Sequence, residues 1–174
     1  MTFSLVIPVL NEEDNIVNLF NELKNFFSKE MSTDIKIQLV LVDDGSIDGT
    51  NKKIIDNKKI LEGHSLKLIK LSKNFGSYNA YRAGLMHSDG EITTFMTADL
   101  QDPLILLKKM LTEILKGFDI VAARRNAKEN KIINNFFSAL YSFILRKTSI
   151  KDFPKGGCDI VMINNKVKKY LNEK

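Results

Sequence analysis

The feature that most constrains the fold is a repeated alternation of short apolar runs with segments of helical spacing. Residues 3–9 and 35–43 are almost continuously apolar. The segment between them, 12–29, places its large apolar side chains three or four residues apart, which is the spacing of one helix face. Apolar strands that alternate with helices predict a parallel sheet covered on both faces. We therefore expect an α/β fold with a Rossmann-like, mostly parallel sheet and helices on both sides.

The same alternation continues along the whole chain. Strands are predicted at 3–9, 35–43, 66–71, 91–97, 118–123 and 159–163, and helices at 12–29, 50–61, 77–87, 104–116, 130–147 and 166–171. Ligands of such sheets bind beyond the carboxyl ends of the strands. This rule selects the loops 8–13, 43–50, 71–77 and 97–103, which we expect to meet at one crevice.

Composition narrows the class of protein. The chain has 174 residues, of which 44% are hydrophobic and 27% charged, as in an ordinary globular domain. Its one cysteine, Cys158, cannot form an intramolecular disulfide, and with His64 and His87 it is too small a supply for a Cys/His metal cluster. No apolar run approaches the roughly 20 residues that span a bilayer. The first residues lack the basic region and cleavage site of a signal peptide. They are therefore interpreted as a buried strand and not as a signal peptide.

Charge is distributed unevenly. Residues 1–103 carry 11 basic and 15 acidic side chains, whereas residues 104–174 carry 15 basic and 6 acidic ones. An acidic half joined to a basic half suits a site that holds a cation and binds phosphate. A lysine-rich composition explains the same numbers, because 22 of the 26 basic residues are Lys.

Acidic side chains follow the first two predicted strands. Asn11 and Glu12 either cap the next helix and stabilise its first turn, or Glu12 accepts hydrogen bonds from a nucleoside. Asp43 and Asp44 end the second strand, where a carboxylate can accept from ribose hydroxyls or from the N–H of a base. Asp48, before a glycine, is interpreted as turn chemistry.

The loop after the fourth strand contains oxygen donors two residues apart. Asp99 and Gln101 can present oxygens to one point, as Mg²⁺ and Mn²⁺ require, whereas Asp102 is explained by a helix cap. The segment 74–77 after the third strand is interpreted mainly as packing. The amphipathic helix predicted at 130–147 either covers the sheet or lies on an anionic membrane surface.

Taken in order, the stretches VIPVLNEE, LVDDGSIDGT, LSKNFGSYNAYRAGL and TADLQDP resemble the family 2 glycosyltransferases, which have the GT-A fold. They look closest to the branch of dolichol-phosphate mannose synthases and bacterial polyprenyl-phosphate glycosyltransferases. The resemblance runs from Ser4 to about Ile163. A nicotinamide-dependent dehydrogenase is disfavoured, because no G-x-G-x-x-G follows the first strand.

The resemblance implies a set of site residues. The metal motif of the family, Asp-x-Asp followed by x-Gln, implies that Asp99 and Gln101 bind Mg²⁺ or Mn²⁺, although Thr97 replaces the first aspartate and is a poorer ligand. Arg124 matches an arginine near the diphosphate, and Asp159 matches a candidate catalytic base. The positions implied for nucleotide-sugar binding are Pro8, Leu10, Glu12, Val42, Asp43, Asp44, Ala98 and Asp99.

The resemblance also implies a reaction. We expect inverting, metal-dependent transfer of a sugar from a nucleotide-diphosphate sugar to a polyprenyl phosphate, at the cytoplasmic face of the membrane with peripheral contact. Two alternatives stay open: transfer to a glycan hydroxyl, and a nucleotide-sugar-binding module without activity. No motif indicates nucleic-acid binding. We expect a single domain, 1–174, that is shorter at its C-terminal end than the family.

Overall fold

The computed structural model describes residues 1–123 and 160–173. Contacts between Cα atoms divide the chain into a main unit, Met1–Val121 with Met162–Lys174, and a second unit, Ala122–Val161. The predicted helix at 130–147 and the residues Arg124, Cys158 and Asp159 lie outside the described residues.

The described strands form one six-stranded sheet in the order β3–β2–β1–β4–β6–β5. Strands β1, β2, β3 and β4 are parallel neighbours, and β6 runs antiparallel to β4. The predicted mostly parallel α/β sheet is thereby confirmed. The strands are β1 (Thr2–Val9), β2 (Lys36–Asp43), β3 (Ser65–Lys70), β4 (Ile92–Phe95), β5 (Ile120–Ala123) and β6 (Ile160–Asn164).

The described helices occupy the predicted segments with small shifts at their ends. The largest shift at the start of a helix is at the first one, which is predicted from residue 12 and begins at Ile16. Residues 12–15 form a turn instead, in which the backbone N–H of Asn15 donates to Glu12 O at 2.9 Å. The α-helices are α1 (Ile16–Glu30), α2 (Thr50–Asn57), α3 (Ser77–Met86), α4 (Ile105–Leu115) and α5 (Asn165–Asn172), and a 3₁₀ turn, Lys58–Leu61, follows α2.

The order of the strands puts helices on both faces of the sheet. The chain moves from β1 through β2 to β3 in one direction and then returns past β1 to β4, so right-handed crossovers place α1 and α2 on one face and α3 on the other. On the α3 face, Val6, Val40 and Val42 are buried in a cluster with Ala80 of α3.

Helix α5 is fixed by a lysine to the segment between α3 and β4. The side chain of Lys168 is buried, and its Nζ donates to the carbonyl oxygens of Ser88 and Gly90. Burial lowers the pKa of Lys168. Within residues 1–123 and 160–173, no helix is both long and apolar enough to cross a membrane.

Candidate donor-binding site

The four loops selected from the sequence meet at one cavity of about 330 Å³, at the carboxyl ends of the parallel strands. The backbone positions of these loops follow directly from the sheet, because β1, β2, β3 and β4 all end at the same edge. The cavity is lined by Pro8, Val9, Leu10, Glu12, Asp44, Asn74, Gly76, Ser77, Tyr81, Thr97, Ala98 and Asp99.

Asn11 joins the first loop to the second and does not cap a helix. Its side-chain oxygen accepts from Ile47 N at 3.0 Å, and its backbone N–H donates to Ser46 Oγ at 2.9 Å. Asn11 has a φ of 54°, a left-handed conformation that asparagine tolerates better than most residues. The alternative in which Asn11 caps the helix is therefore wrong: α1 begins five residues later, with Asn15 at its N-cap position.

Glu12 presents a carboxylate to the cavity. Its Oε2 accepts from Asn15 Nδ2 at 2.9 Å, and Asn15 Nδ2 also donates to Ala98 O at 3.0 Å. Its backbone N–H donates to Thr50 Oγ1 at 2.8 Å. Glu12 is thus oriented by the loops after β1, β2 and β4, while its Oε1 has no hydrogen-bond partner among the described residues.

Asp43 and Val42 do not line the cavity. Asp43 has 0% of its surface exposed; its Oδ1 accepts from Ser46 N at 2.8 Å and its Oδ2 accepts from Asn51 Nδ2. Val42 is fully buried and packs in the cluster under α3. Asp43 thus holds the second loop and Val42 packs in the core, so their implied contact with a nucleotide stays a prediction that this geometry does not support.

Asp44 lines the cavity, but its carboxylate holds the third loop. Only 3% of the residue is exposed, and its oxygens accept from Phe75 N at 2.8 Å and Gly76 N at 2.9 Å. Gly45 permits this contact, because it has a φ of 83° and a Cβ there would lie 2.6 Å from Asn74 N.

The loop after β4 carries the cluster implied for a metal. Asp99 Oδ1 accepts from Thr97 Oγ1 at 2.7 Å, and Asp99 Oδ2 accepts from Gln101 Nε2 at 2.6 Å. The Thr97 bond is the chief reason that the pKa of the Asp99 carboxyl lies below its usual value, with smaller contributions from Gln101. Leu100, between them, has a φ of 52°. Helix α4 starts at Ile105, and its N-cap position, Leu104, has no side-chain cap, so the alternative that Asp102 caps this helix stays a prediction.

The donor set of this loop fits a hard divalent cation. Thr97, Asp99 and Gln101 offer hydroxyl, carboxylate and amide oxygens, and Mg²⁺ is commonly held by one or two carboxylates together with substrate phosphates. Asp99 is exposed beside the cavity, with room for such phosphates. No group of three or more His, Cys, Asp or Glu side chains gathers within 1–123 and 160–173. Gln101 does not line the cavity and binds Asp99 through its nitrogen, so its amide must turn before its oxygen can ligate a cation.

The strand-end rule places the third loop at the crevice, but the sequence analysis names none of the residues with which that loop and α3 line it. Asn74, Gly76, Ser77 and Tyr81 line the cavity, although the segment was interpreted mainly as packing. The signal was present, since this loop also follows a parallel strand. Burial, and then the charges of Asp99 and Asp102, raise the pKa of Tyr81.

The structure therefore gathers six of the predicted positions at one cavity and leaves three outside it. Arg124 and Asp159 lie outside the described residues. Those gathered are Pro8, Leu10, Glu12, Asp44, Ala98 and Asp99, and those outside the cavity are Val42, Asp43 and Gln101.

A mostly parallel sheet with acidic loops at its carboxyl edge is the architecture of GT-A glycosyltransferases. The chain shares its fold with a mannosyltransferase of Pyrobaculum calidifontis solved in complex with GDP-Man and Mn²⁺, with a TM-score of 0.63 and 20% identity. The match covers 97% of this chain and 46% of the other.

The model of glycosyl transferase family 2 matches residues 4–165, and the chain belongs to this family. It is 36% identical over 168 residues to an uncharacterized glycosyltransferase of Synechocystis sp., covering 94% of this chain and 50% of the relative. It is 28% identical over 155 residues to the undecaprenyl-phosphate 4-deoxy-4-formamido-L-arabinose transferase of Proteus mirabilis, covering 89% and 46%. The chain thus spans about half the length of these relatives, and the family resemblance is confirmed.

Proposed function

We propose that the described residues form the donor half of an active site that transfers a sugar, with inversion, from a nucleotide-diphosphate sugar to a polyprenyl phosphate. The observation that carries this proposal is the convergence of four strand-end loops on one cavity that both Glu12 and Asp99 line. Two carboxylates in one cavity suit a ligand that carries both hydroxyl groups and metal-bound phosphates.

Each carboxylate has a distinct role in this proposal. Glu12 accepts hydrogen bonds from the nucleoside through its Oε1, because its Oε2 is already fixed by Asn15. Asp99 would hold Mg²⁺ or Mn²⁺, assisted by Gln101 once its amide has turned. A cation bound there would neutralise the negative charge that develops on the departing diphosphate. The complex of the Pyrobaculum calidifontis relative with GDP-Man and Mn²⁺ supports this pairing of ligands.

The transfer itself needs one bond formed and one broken. An acceptor phosphate oxygen forms a bond to the anomeric carbon from the face opposite the diphosphate, and the carbon–oxygen bond to the diphosphate breaks, with its electron pair leaving on the nucleoside diphosphate. A phosphate is already ionised, so no base is required. The family resemblance assigns Arg124 to the diphosphate, and Asp159 to base catalysis if the acceptor is a glycan hydroxyl.

Polyprenyl phosphate is favoured as the acceptor by the Proteus mirabilis relative, whose name specifies undecaprenyl phosphate. An acceptor of this kind is embedded in a membrane. The proposal therefore includes peripheral contact at the cytoplasmic membrane face, to which the basic residues of 104–174 are suited. Nucleic acid has no part in it.

Calorimetric titration tests the donor site. UDP, GDP, UDP-glucose and GDP-mannose are titrated with Mn²⁺ or with EDTA into the chain, its Asp99→Asn variant and the control Asp56→Asn, whose carboxylate is exposed on α2 away from the cavity. We expect metal-dependent binding of one nucleotide, weakened at least tenfold by Asp99→Asn alone. A folded chain that binds none of the four would refute the donor site.

A binding module without activity is the second candidate, and Thr97 is the observation that favours it. Thr97 stands at the position where the family motif has a carboxylate, and its hydroxyl donates to Asp99. Activity that appears only in Thr97→Asp would establish the module. Activity in the unchanged chain would exclude it.

A further inference from the structure

A second cavity, of about 460 Å³, lies beside the donor cavity and is not explained by donor binding. We call it the α3 cavity, because most of its lining comes from that helix. It is lined by Tyr78, Tyr81, Arg82, Leu85, Phe95 and Leu171.

The α3 cavity runs along one side of its helix and shares a wall with the donor cavity. Tyr78, Arg82 and Leu85 are spaced four and three residues apart, so they lie on one face of α3. Tyr81 lines both cavities, and its ring meets the ring of Phe95 edge-on at 5.5 Å. A molecule in the α3 cavity therefore lies next to the donor, separated from it by one tyrosine.

The lining combines apolar surface with one cation. Two of the largely apolar side chains of the cavity are open to solvent: Tyr78, which is 77% exposed, and Leu171, which is also exposed. Arg82 is exposed and has no ion-pair partner among the residues that the structure describes. By contrast, Lys67 and Lys108 each have a carboxylate at 2.9 Å. An unpaired guanidinium in an apolar groove fits a molecule with an anionic head and a hydrocarbon chain.

We propose that the α3 cavity binds the acceptor, with its phosphate at Arg82 and its first isoprene units against Tyr78, Leu85 and Phe95. This inference rests on the proposed function and adds the place of the acceptor to it. A glycan is a poorer occupant, because three of the six lining side chains, Leu85, Phe95 and Leu171, offer no hydrogen bonds to its hydroxyl groups. The two cavities share the wall at Tyr81, so the side chain of Tyr81 must turn aside before an oxygen of the bound phosphate reaches the donor sugar.

Binding of farnesyl phosphate, kept below its micellar concentration, tests the proposal by calorimetry. Farnesol and inorganic phosphate are titrated in parallel. The variants are Arg82→Gln, which removes the cation, and Tyr78→Ala, which removes exposed apolar surface; the control is Lys52→Gln, an exposed cation on α2. Circular dichroism establishes that each variant is folded, and each is titrated with the nucleotide that the chain binds.

We expect farnesyl phosphate to bind more tightly than farnesol or phosphate alone. Arg82→Gln lowers that affinity at least tenfold, Tyr78→Ala lowers it severalfold, and Lys52→Gln leaves it unchanged. Nucleotide affinity stays the same in all three variants. Equal affinity of Arg82→Gln and the unchanged chain for farnesyl phosphate would overturn the proposal. So would a dimer of the unchanged chain that Tyr78→Ala dissociates, because a second copy would then occupy the cavity. Failure of nucleotide binding in the unchanged chain would instead refute the proposed function.

Discussion

Replacement of Asp44 by asparagine tests which of two roles this residue has: building the donor cavity or contacting the nucleotide. In the structure, the two carboxylate oxygens accept from Phe75 N and Gly76 N at 2.8 and 2.9 Å, in a site only 3% exposed. Asparagine has nearly the same shape but offers one oxygen and one NH₂ group. One of the two backbone N–H groups then faces another donor.

The magnitude follows from these two bonds. A hydrogen bond to a charged group contributes about 1.5–3 kcal/mol, and a buried donor left without a partner costs about 1–3 kcal/mol. Asn74 Oδ1 also accepts from Gly76 N, which offsets part of the loss. We therefore expect docking of the loop 72–76 to weaken by about 3 kcal/mol, which is roughly a hundredfold change in its equilibrium.

Hydrogen–deuterium exchange measures this loop directly. Peptides covering 71–77 are expected to exchange faster in Asp44→Asn. The affinity for the nucleotide is expected to fall at least tenfold, because the same loop supplies Asn74, Gly76 and Ser77 to the cavity. The control is again Asp56→Asn. If affinity falls while exchange of the loop is unchanged, the carboxylate contacts the nucleotide itself and the loop-holding role is wrong.

Two further predictions concern stability. Gly84→Ala is expected to lower the free energy of unfolding by about 1–3 kcal/mol in urea denaturation, because an added Cβ would overlap Val6 Cγ1 and press on Val42; an unchanged midpoint would show that α3 can shift away from the sheet. Burial lowers the pKa of His64, whose ring packs edge-on against Phe27 at 5.1 Å. The unfolded chain therefore takes up a proton more readily, so the melting temperature should fall as the pH drops below about 6.5 and level off below the folded pKa. His64→Leu should reduce that fall between about pH 7.5 and about pH 5.5, and an equal fall in the variant would assign it to other groups.

The fold was predictable because its signals are local and repeated. Apolar strands such as 3–9 and 35–43 and the helical spacing between them predict a covered parallel sheet, and the rule for strand ends then predicts where the loops meet. The antiparallel direction of β6 was not predictable, because strand direction depends on the tertiary path of the chain. The start of α1 at Ile16 was missed because Asn11 makes its bonds to residues 46 and 47, which are distant in sequence.

The roles of individual acidic residues were less predictable than their location. Asp43, Asp44 and Asp99 all lie at or beyond the carboxyl end of a strand, and nothing in their immediate sequence distinguishes them. What differs is the set of backbone and side-chain donors that the fold brings to each carboxylate. The third loop reaches Asp44 only because Gly45 leaves room for its backbone, a long-range contact that no periodicity reveals.

This difference divides the acidic residues into two kinds that experiments can distinguish. Asp43 and Asp44 are almost fully buried, and their oxygens are occupied by groups of the protein, so their removal must first change the position of a loop. Glu12 keeps one oxygen without a partner among the described residues, and Asp99 is exposed beside the cavity. Removal of either should change ligand affinity with little effect on the melting temperature, because no buried donor loses its only partner. We therefore expect the acidic loops of this chain to include residues that build the site as well as residues that face its ligand, and the bonds that each carboxylate already makes within the protein to separate the two.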